Sequence, residues 1–589
     1  MSDTPIIDPL DRLAPLSLRS REVVLKCSGK QKLVVPCDAP ATPATWYLAP
    51  QTTIPIIPEF SSGNEVAYFI DGPDTLAEFG RAIATANGPG HFIYLTGWWA
   101  DDGITHHSVT VYLLQWLVTT PWYVLLPIFA PAASGKLTTS GFPIFAGNNL
   151  YSLLLAAANL KVQIRAMIWH QPAPLGDMSS VVGDINGLPN NAGGAILDNR
   201  TRDFTSHHQK VLIVNGSQGL IGFVGGVDVN PDRVLGPDPP LSPGSPLHDV
   251  HARIRGSAVA DLLQLFQERW TDHPDSKPID TAKGVLLPAA PGPAAEGHQY
   301  VQIVKTYGNL SKQPQVSKKS ILPGAPTYAF APTGLQSSRR LALKALGAAK
   351  KFIYIEDQYF FNLEAAATIA GVIPQLEHVT LLLTWPAYLL PGMADKRDLC
   401  ISAIRAAGGN KLRVCFLTPE QGGHTYVHSK TTIVDDQFAI IGSTNYNRRG
   451  WTNDSEVAAG ILDNNDQFDA TFNFARRLRI RLWAEHLGMQ TDRGYAELAD
   501  GVASAVHWTA PPAGARVTCY DESNPAVSST SALQAGGQLY ASNPLYQVFS
   551  MAEPIAAAYI ENKASGINTL AEFGAASVWD TVLDPDGTN

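Results

Sequence analysis

Residues His208-Gln209-Lys210-Val211-Leu212-Ile213-Val214-Asn215 and His428-Ser429-Lys430-Thr431-Thr432-Ile433-Val434-Asp435 are two versions of one pattern: an imidazole, an ammonium two residues later, four mostly apolar residues, then Asn or Asp. On a strand, residues two apart leave the same face, so each copy offers a histidine and a lysine to one pocket. That pairing suits phosphate chemistry, because nitrogen can attack phosphorus or move a proton while ammonium neutralises the oxygens. A glycine-bearing turn follows each copy, Gly225-Gly226 and Gly442-Ser443, and two half-sites point to one composite active site.

Working outward, the same parts recur in the same order around each copy, so the chain reads as internally duplicated. In the first half the strands are HFIYLTGWW from His91, NLKVQIRAMIW from Asn159, VLIV after Lys210 and LIGFVGG from Leu220. The second half answers with KFIYIEDQYF from Lys351, NKLRVCFL from Asn410, TTIV after Lys430 and FAIIGST from Phe438. Apolar residues at three- and four-residue spacing predict helices over 75–86, 149–157, 337–349 and 396–407. Strands alternating with helices imply an α/β sheet covered on both faces. Each half closes on an amphipathic helix, 259–270 and 469–486, read as a packing element.

These landmarks divide the chain into an N-terminal extension (1–65), a first lobe (66–275), a linker (276–335), a second lobe (336–490) and a C-terminal extension (491–589). The linker is rich in Pro, Gly, Ala and Ser, with a hairpin expected around Tyr300 to Thr306. The apolar run VTVYLLQWLVTTPWYVLLPIFAP, 109–131, has no counterpart in the second half. Pro121 and Pro127 argue against a membrane-spanning helix, which leaves a buried core segment or an interfacial element, the latter suited to Trp116, Trp122 and Tyr123 at a bilayer surface.

With 589 residues, 45% hydrophobic and 16% charged, the chain is an ordinary globular protein able to bury a large core. A net charge of -9 disfavours nucleic acid as the main partner. Five scattered cysteines (Cys27, Cys37, Cys400, Cys415, Cys519) show no metal-ligand spacing and read as free thiols, and neither a metal nor another cofactor is expected. The N-terminus lacks the basic start and apolar stretch of a secretory signal, so synthesis as a cytoplasmic protein is expected, with peripheral membrane contact or signal-less export left open.

Together the half-sites permit covalent catalysis: one histidine attacks phosphorus while the other protonates the departing oxygen and later activates water. A nucleophilic imidazole needs its second nitrogen held, usually by a carboxylate. Asp249, downstream of the first copy, and Glu456, downstream of the second, sit at matching places, with Asp454 competing for the latter role. Each half is thus expected to supply a histidine, a lysine and an orienting carboxylate. His207 reads as a structural neighbour.

The stretches FTSHHQKVLIV, FVGGVD, LHDVHARIRG, FQERW, YIEDQYF, TYVHSKTTIVDD, IIGSTNYNRR, DSEVAAG and RLWAEHLG resemble the phospholipase D superfamily, and its eukaryotic type in particular, over roughly 65–490. The resemblance implies two phospholipase-D-like α/β sheet lobes packed pseudo-symmetrically around one active site. It implies His208 as nucleophile, His428 as general acid, and Lys210, Lys430, Asn445 and Asp228 at the phosphate. Ser443, Glu356, Gln358 and Trp98 are placed beside the substrate, and Asn215 and Asp435 as braces of the motifs. Two departures stand out: Asn215 replaces the family's Asp, and the first turn carries about three extra residues before Gly225-Gly226.

The function implied is hydrolysis of the distal phosphodiester of a glycerophospholipid to phosphatidate and a free head group, with transfer to other alcohols. A phospholipid bilayer is the expected partner. Compact enzymes of this kind also occur among bacterial antibacterial effectors, which would add a secretion-system or immunity partner. Alternatives are another phosphodiesterase or nuclease of the superfamily, and a catalytically weak lipid-binding protein, for which Asn215 is the support.

Overall fold

In the computed structural model the described residues are 42–98, 100, 149–170, 178–201, 205–230, 232–235, 247–289, 297–309, 327–385, 393–418, 425–463 and 474–520. The run 109–131 lies outside them, as do Cys27 and Cys37. The first repeat supplies β1 (Ser61–Ile70), β2 (Phe92–Gly97), β3 (Gln163–Trp169), β4 (Gly193–Asp198), β5 (Val211–Gly216), β6 (Gly219–Gly225) and β7 (Val250–Arg255). There follow β8 (Gln299–Tyr307), β9 (Leu335–Gln336), β10 (Phe352–Asp357), β11 (His378–Leu383), β12 (Leu412–Leu417), β13 (Thr431–Val434), β14 (Phe438–Gly442), β15 (Glu456–Asp463) and β16 (Val517–Cys519).

All join one sheet in the order β16-β12-β11-β10-β13-β14-β15-β8-β1-β7-β6-β5-β2-β3-β4, with β9 beside β8. Read outward from the antiparallel β8–β1 pair, the two sides are the same list: β15 answers β7, β14 answers β6, β13 answers β5, β10 answers β2, β11 answers β3 and β12 answers β4. The duplication is therefore a pseudo-twofold through the β1–β8 junction. The two strands carrying the histidine-lysine copies, β5 and β13, hold equivalent places.

The expected strands form close to their sequence limits, because continuous apolar runs are what a sheet buried on both faces requires. Val211 and Ile213 face a core shared by both lobes, whereas Leu212 and Val214 face one confined to the first lobe. The helices Val259–Asp272 and Phe474–His486 lie over that shared core, burying Trp270 and Trp483 completely. Each tryptophan removes ~150–250 Å² from water, about 4–6 kcal/mol at most. Packing is thus reason enough for the amphipathic pattern of these helices.

Three details differ from the sequence reading. The expected hairpin at 300–306 is one continuous strand, β8, at the middle of the sheet; its Pro/Gly-rich flanks hide a run pairing with β15 from Gln299↔Asp463 to Thr306↔Glu456. The extra residues after Asn215 do not lengthen a turn near the site. At the motif end the registers agree, Val211↔Val224 and Thr431↔Ile441, and the surplus extends the far end of the β5–β6 hairpin to Gly216↔Gly219. Finally, Cys415 and Cys519, read as free thiols, form a disulfide between directly opposed residues of β12 and β16.

That pairing escaped the sequence because the cysteines lie 104 residues apart and become neighbours only when β16 adds to the sheet edge. Cys400 is a free, buried thiol. Replacing Cys519 by Ser is expected to lower unfolding stability by ~2–4 kcal/mol, by releasing a long closed loop in the unfolded chain. An unchanged urea midpoint would show that the crosslink contributes nothing.

Candidate active site

His208 and His428 stand just before β5 and β13, and backbone bonds across the pseudo-twofold fix both. His208 N–H donates to Ser455 O (2.9 Å), Ser455 N–H to Ser206 O (2.9 Å), and His428 N–H to His248 O (2.7 Å). The two imidazoles face each other with ring centroids 6.5 Å apart. Their side chains keep 12% and 10% exposure while their carboxylate partners are fully buried.

The carboxylates are exchanged between the lobes. His208 Nδ1 lies 3.0 Å from Glu456, which belongs to the second repeat, and His428 Nδ1 lies 2.7 Å from Asp249 Oδ2, which belongs to the first. Asp454, the competitor for Glu456, is instead engaged by Arg449 (2.7 and 2.8 Å) and by the Ser206 amide. His208 Nδ1 also meets the Ser443 carbonyl at 3.0 Å. A carbonyl only accepts, so Nδ1 carries the hydrogen and Nε2 presents a lone pair. Gly226 is required by close approach, since a Cβ there would lie 2.0 Å from Asp249 Oδ1.

Cations surround the pair. Lys210 Nζ reaches His208 O (3.0 Å) and Asp228 Oδ2 (3.2 Å). Lys430 Nζ donates to Gln358 Oε1 (3.3 Å) and to His428 O. Burial, then Lys210, Lys430 and Arg449, holds His208 well below its usual pKa; burial, then Lys430, Arg233 and Lys210, does the same to His428. A bound phosphodiester would counter these cations and favour an imidazole regaining its proton. Asp249 is pushed up by burial, with Lys430 and Arg233 opposing, to about 6. Glu456 is driven well above its usual range by burial and by Asp454.

The other expected residues separate into two groups. Gln358 stays at the site, linking Lys430 to the Tyr426 hydroxyl (2.5 Å). Asn445 is buried and its Oδ1, an acceptor, has no hydrogen-bond partner among the described residues. Asp228 and Trp98 brace the site: Asp228 takes the Trp98 amide (3.0 Å) as well as Lys210, and the Trp98 ring stacks on Trp169. An anion so placed holds Lys210 rather than a phosphate.

Ser443 and Glu356, placed beside the substrate by the sequence reading, lie behind it. Ser443 Oγ donates to Glu456 Oε2 (2.5 Å) and takes the Val457 amide (3.0 Å). Glu356 is fully buried against His248, His486 and Tyr354. Asp435 takes the amides of Lys350, Lys351 and Phe352 (2.7, 2.7 and 2.8 Å), bracing the start of β10. Asn215 holds the equivalent place opposite Phe92, but both its side-chain polar atoms lack partners among the described residues, so it does not repeat that brace. His207 is buried 2.8 Å from Asp198.

Sequence reasoning missed Arg233, Arg449 and Tyr426. The available signal was a basic residue a few positions after each glycine turn, in GGVDVNPDR and GSTNYNRR. Among the described residues, His248, Glu356 and His486 could converge on a cation, their ligand atoms lying within 4.8 Å of one another. Those atoms already hydrogen-bond one another at 3.0 Å.

Burial brings Lys430 down to about 8, Lys210 and Arg233 acting in the same direction and Asp249 and Asp357 against it. Lysine loses its charge as pH rises through its pKa. Affinity for sulfate, whose own charge is constant, is therefore expected to fall above pH 8, and Lys430→Met to remove that step. A titration flat from pH 6 to 9 in the unsubstituted protein would contradict this.

Residues 240–366 match the family model described as Phospholipase D, and 343–476 that described as Cardiolipin synthase, PLD-like domain. The chain is 22% identical to phospholipase D alpha 1 of Vigna unguiculata, over 67% of this chain and 64% of that one. It is 26% identical to phospholipase D beta 2 of Arabidopsis thaliana, over 49% and 44%. It thus spans under two thirds of the length of these plant relatives. Among solved structures it is similar to phosphatidylserine synthase of Haemophilus influenzae, with TM-score 0.43 and 13% identity over 77% of this chain and 94% of that one.

Proposed function

The chain belongs to the phospholipase D superfamily, and from that premise we propose that it hydrolyses the distal phosphodiester of glycerophospholipids to phosphatidate and a free head group. The observation that carries the reading is the facing imidazole pair, each ring held at Nδ1 so that Nε2 is left for chemistry. The names of the plant relatives, phospholipases D, support a phospholipid as the substrate class.

In the first step His208 Nε2 donates its lone pair to phosphorus, and the bond from phosphorus to the head-group oxygen breaks. His428 Nε2–H gives that oxygen its proton, so the head group leaves as an alcohol and not as an alkoxide. In the second, His428 takes a proton from water, the water oxygen bonds to phosphorus, and the phosphorus–nitrogen bond breaks to release phosphatidate. An alcohol in place of water gives phosphatidyl transfer. Lys210 and Lys430 offset the charge on the non-bridging oxygens.

The assignment of roles follows the two carboxylates. Both rings are held below their usual pKa, but Asp249, pushed up only to about 6, is ionised at neutral pH and favours His428 over His208 as the ring that regains a proton and acts as the acid. Glu456, driven upward, favours a neutral His208, the nucleophile, and the Ser443 carbonyl fixes the attacking tautomer. Asn215 lies at the far end of β5 from His208, so its lost brace leaves both histidine–carboxylate pairs in place.

Head-group release from phosphatidylcholine vesicles is expected to fall by at least ~10³-fold in both His208→Ala and His428→Ala. With an activated p-nitrophenyl ester, whose leaving group needs no proton, His428→Ala is expected to accumulate a phosphatidyl adduct on His208, detectable by peptide mass analysis. Unchanged release in both variants removes the mechanism, and an adduct on another residue removes the role assignment.

A further inference from the structure

Behind the His428–Asp249 pair lies a second polar cluster that the mechanism does not use. His248, whose side chain is 2% exposed, has both ring nitrogens on carboxylates: Nδ1 on Asp71 Oδ1 at 2.9 Å and Nε2 on Glu356 Oε2 at 3.0 Å. Glu356 also takes hydrogen bonds from His486 Nε2 (3.0 Å) and the Tyr354 hydroxyl (2.7 Å), both on Oε1. Three donors on one fully buried carboxylate leave it acting as an acceptor, hence ionised. Asp71 Oδ1 likewise takes the Asp249 amide at 3.1 Å. A ring that donates from both nitrogens is an imidazolium.

The main chain at this residue touches the reacting histidine directly. The His248 carbonyl accepts the amides of His428 (2.7 Å) and Ser429 (3.1 Å), and the next residue, Asp249, holds the His428 ring. Fixing the His248 side chain therefore fixes the peptide that grips His428 at both backbone and ring. The pseudo-twofold puts Ser455 in the matching place before Glu456, a neutral residue where the other lobe has a cation. The two half-sites are thus built differently one residue behind their carboxylates.

We infer that His248 is a positioning residue, a buried imidazolium anchored by Asp71 and by a Glu356 that His486 holds in turn, which joins Lys430 and Arg233 in keeping Asp249 ionised and favours His428 over His208 as the proton donor. The charged and titratable groups facing it are Asp71, Asp249, Glu356, Glu485 and His486. Burial alone would discharge His248, but Glu356 and Asp71 outweigh it and hold its pKa well above the usual value. The inference rests on the proposed reaction and adds the origin of its asymmetry.

A residue that only supports the fold should lower turnover of every substrate alike. A residue that sustains proton donation should matter where the leaving group needs a proton. The test compares phosphatidylcholine with the p-nitrophenyl ester of the same phosphatidate in identical mixed micelles, using the full chain and His248→Gln, Glu356→Gln and His486→Gln. Glu356→Gln, equal in shape and lacking the charge, carries the test where His248→Gln does not fold, and thermal unfolding reports folding of each variant.

The expected result is a loss of kcat on the choline ester at least ~10-fold greater than on the p-nitrophenyl ester, within the range that general acid catalysis supplies. Equal losses on both esters in folded variants overturn the inference and leave the proposed function standing. A wild type inert on both esters counts against the function and the inference together. One tightly bound divalent metal per purified chain, lost in His486→Gln, also overturns it, because His248 Nε2 would then be a ligand and not a donor.

Discussion

Two hydrogen bonds that cross the pseudo-twofold, Glu456 to His208 and Asp249 to His428, make the two repeats mutually dependent. Neither lobe contains both members of the His208–Glu456 or the His428–Asp249 pair, so a separated half would leave a carboxylate without its imidazole and an imidazole without its carboxylate. The backbone ladder around Ser206, His208, His248, His428 and Ser455 sets the spacing of the rings, and the continuous sheet through β1 and β8 holds that ladder. Much else follows from the need to bury these carboxylates, including the bare glycine at Gly226 and the hydroxyl of Ser443 given over to Glu456.

Burial also accounts for the electrostatics. Cations and two imidazoles packed into little solvent lower the proton affinity of both rings, which creates a site calling for an anion. The same low exposure pushes both carboxylates upward; lysines oppose this at each, but Asp249 also has Arg233 and His248 near it, whereas Glu456 has the like charge of Asp454 beside it. A fold close to twofold symmetric thus houses electrostatics that are not symmetric. Differential charge around equivalent positions is enough to produce that, without different residue types at the reacting atoms.

The departures in the first repeat become intelligible in this frame. The three surplus residues lie at the outer end of the β5–β6 hairpin, where strand length varies without moving Lys210 or Gly225. Asn215 occupies the same outer end. Its counterpart Asp435 gathers three amides before β10, and Asn215 gathers none among the described residues, so the second repeat is the better braced of the two at this point.

What the sequence by itself determined was local and periodic: the two histidine-lysine copies, the apolar runs that become β2, β3, β5, β6, β10, β12, β13 and β14, the helices between them and the duplication. Strand and helix periods are written in neighbouring residues, so these were legible. Which carboxylate serves which histidine was not, because Asp249 and Glu456 hold matching places in the two repeats and only the twofold packing decides that each faces the opposite lobe. The inward turn of Ser443 and Glu356, the place of β8 at the centre, the Cys415–Cys519 bond and the His248 cluster are likewise meetings of residues remote in sequence. Tertiary structure decided them, since an ion pair or a sheet edge depends on distance in space and a one-dimensional pattern carries no record of it.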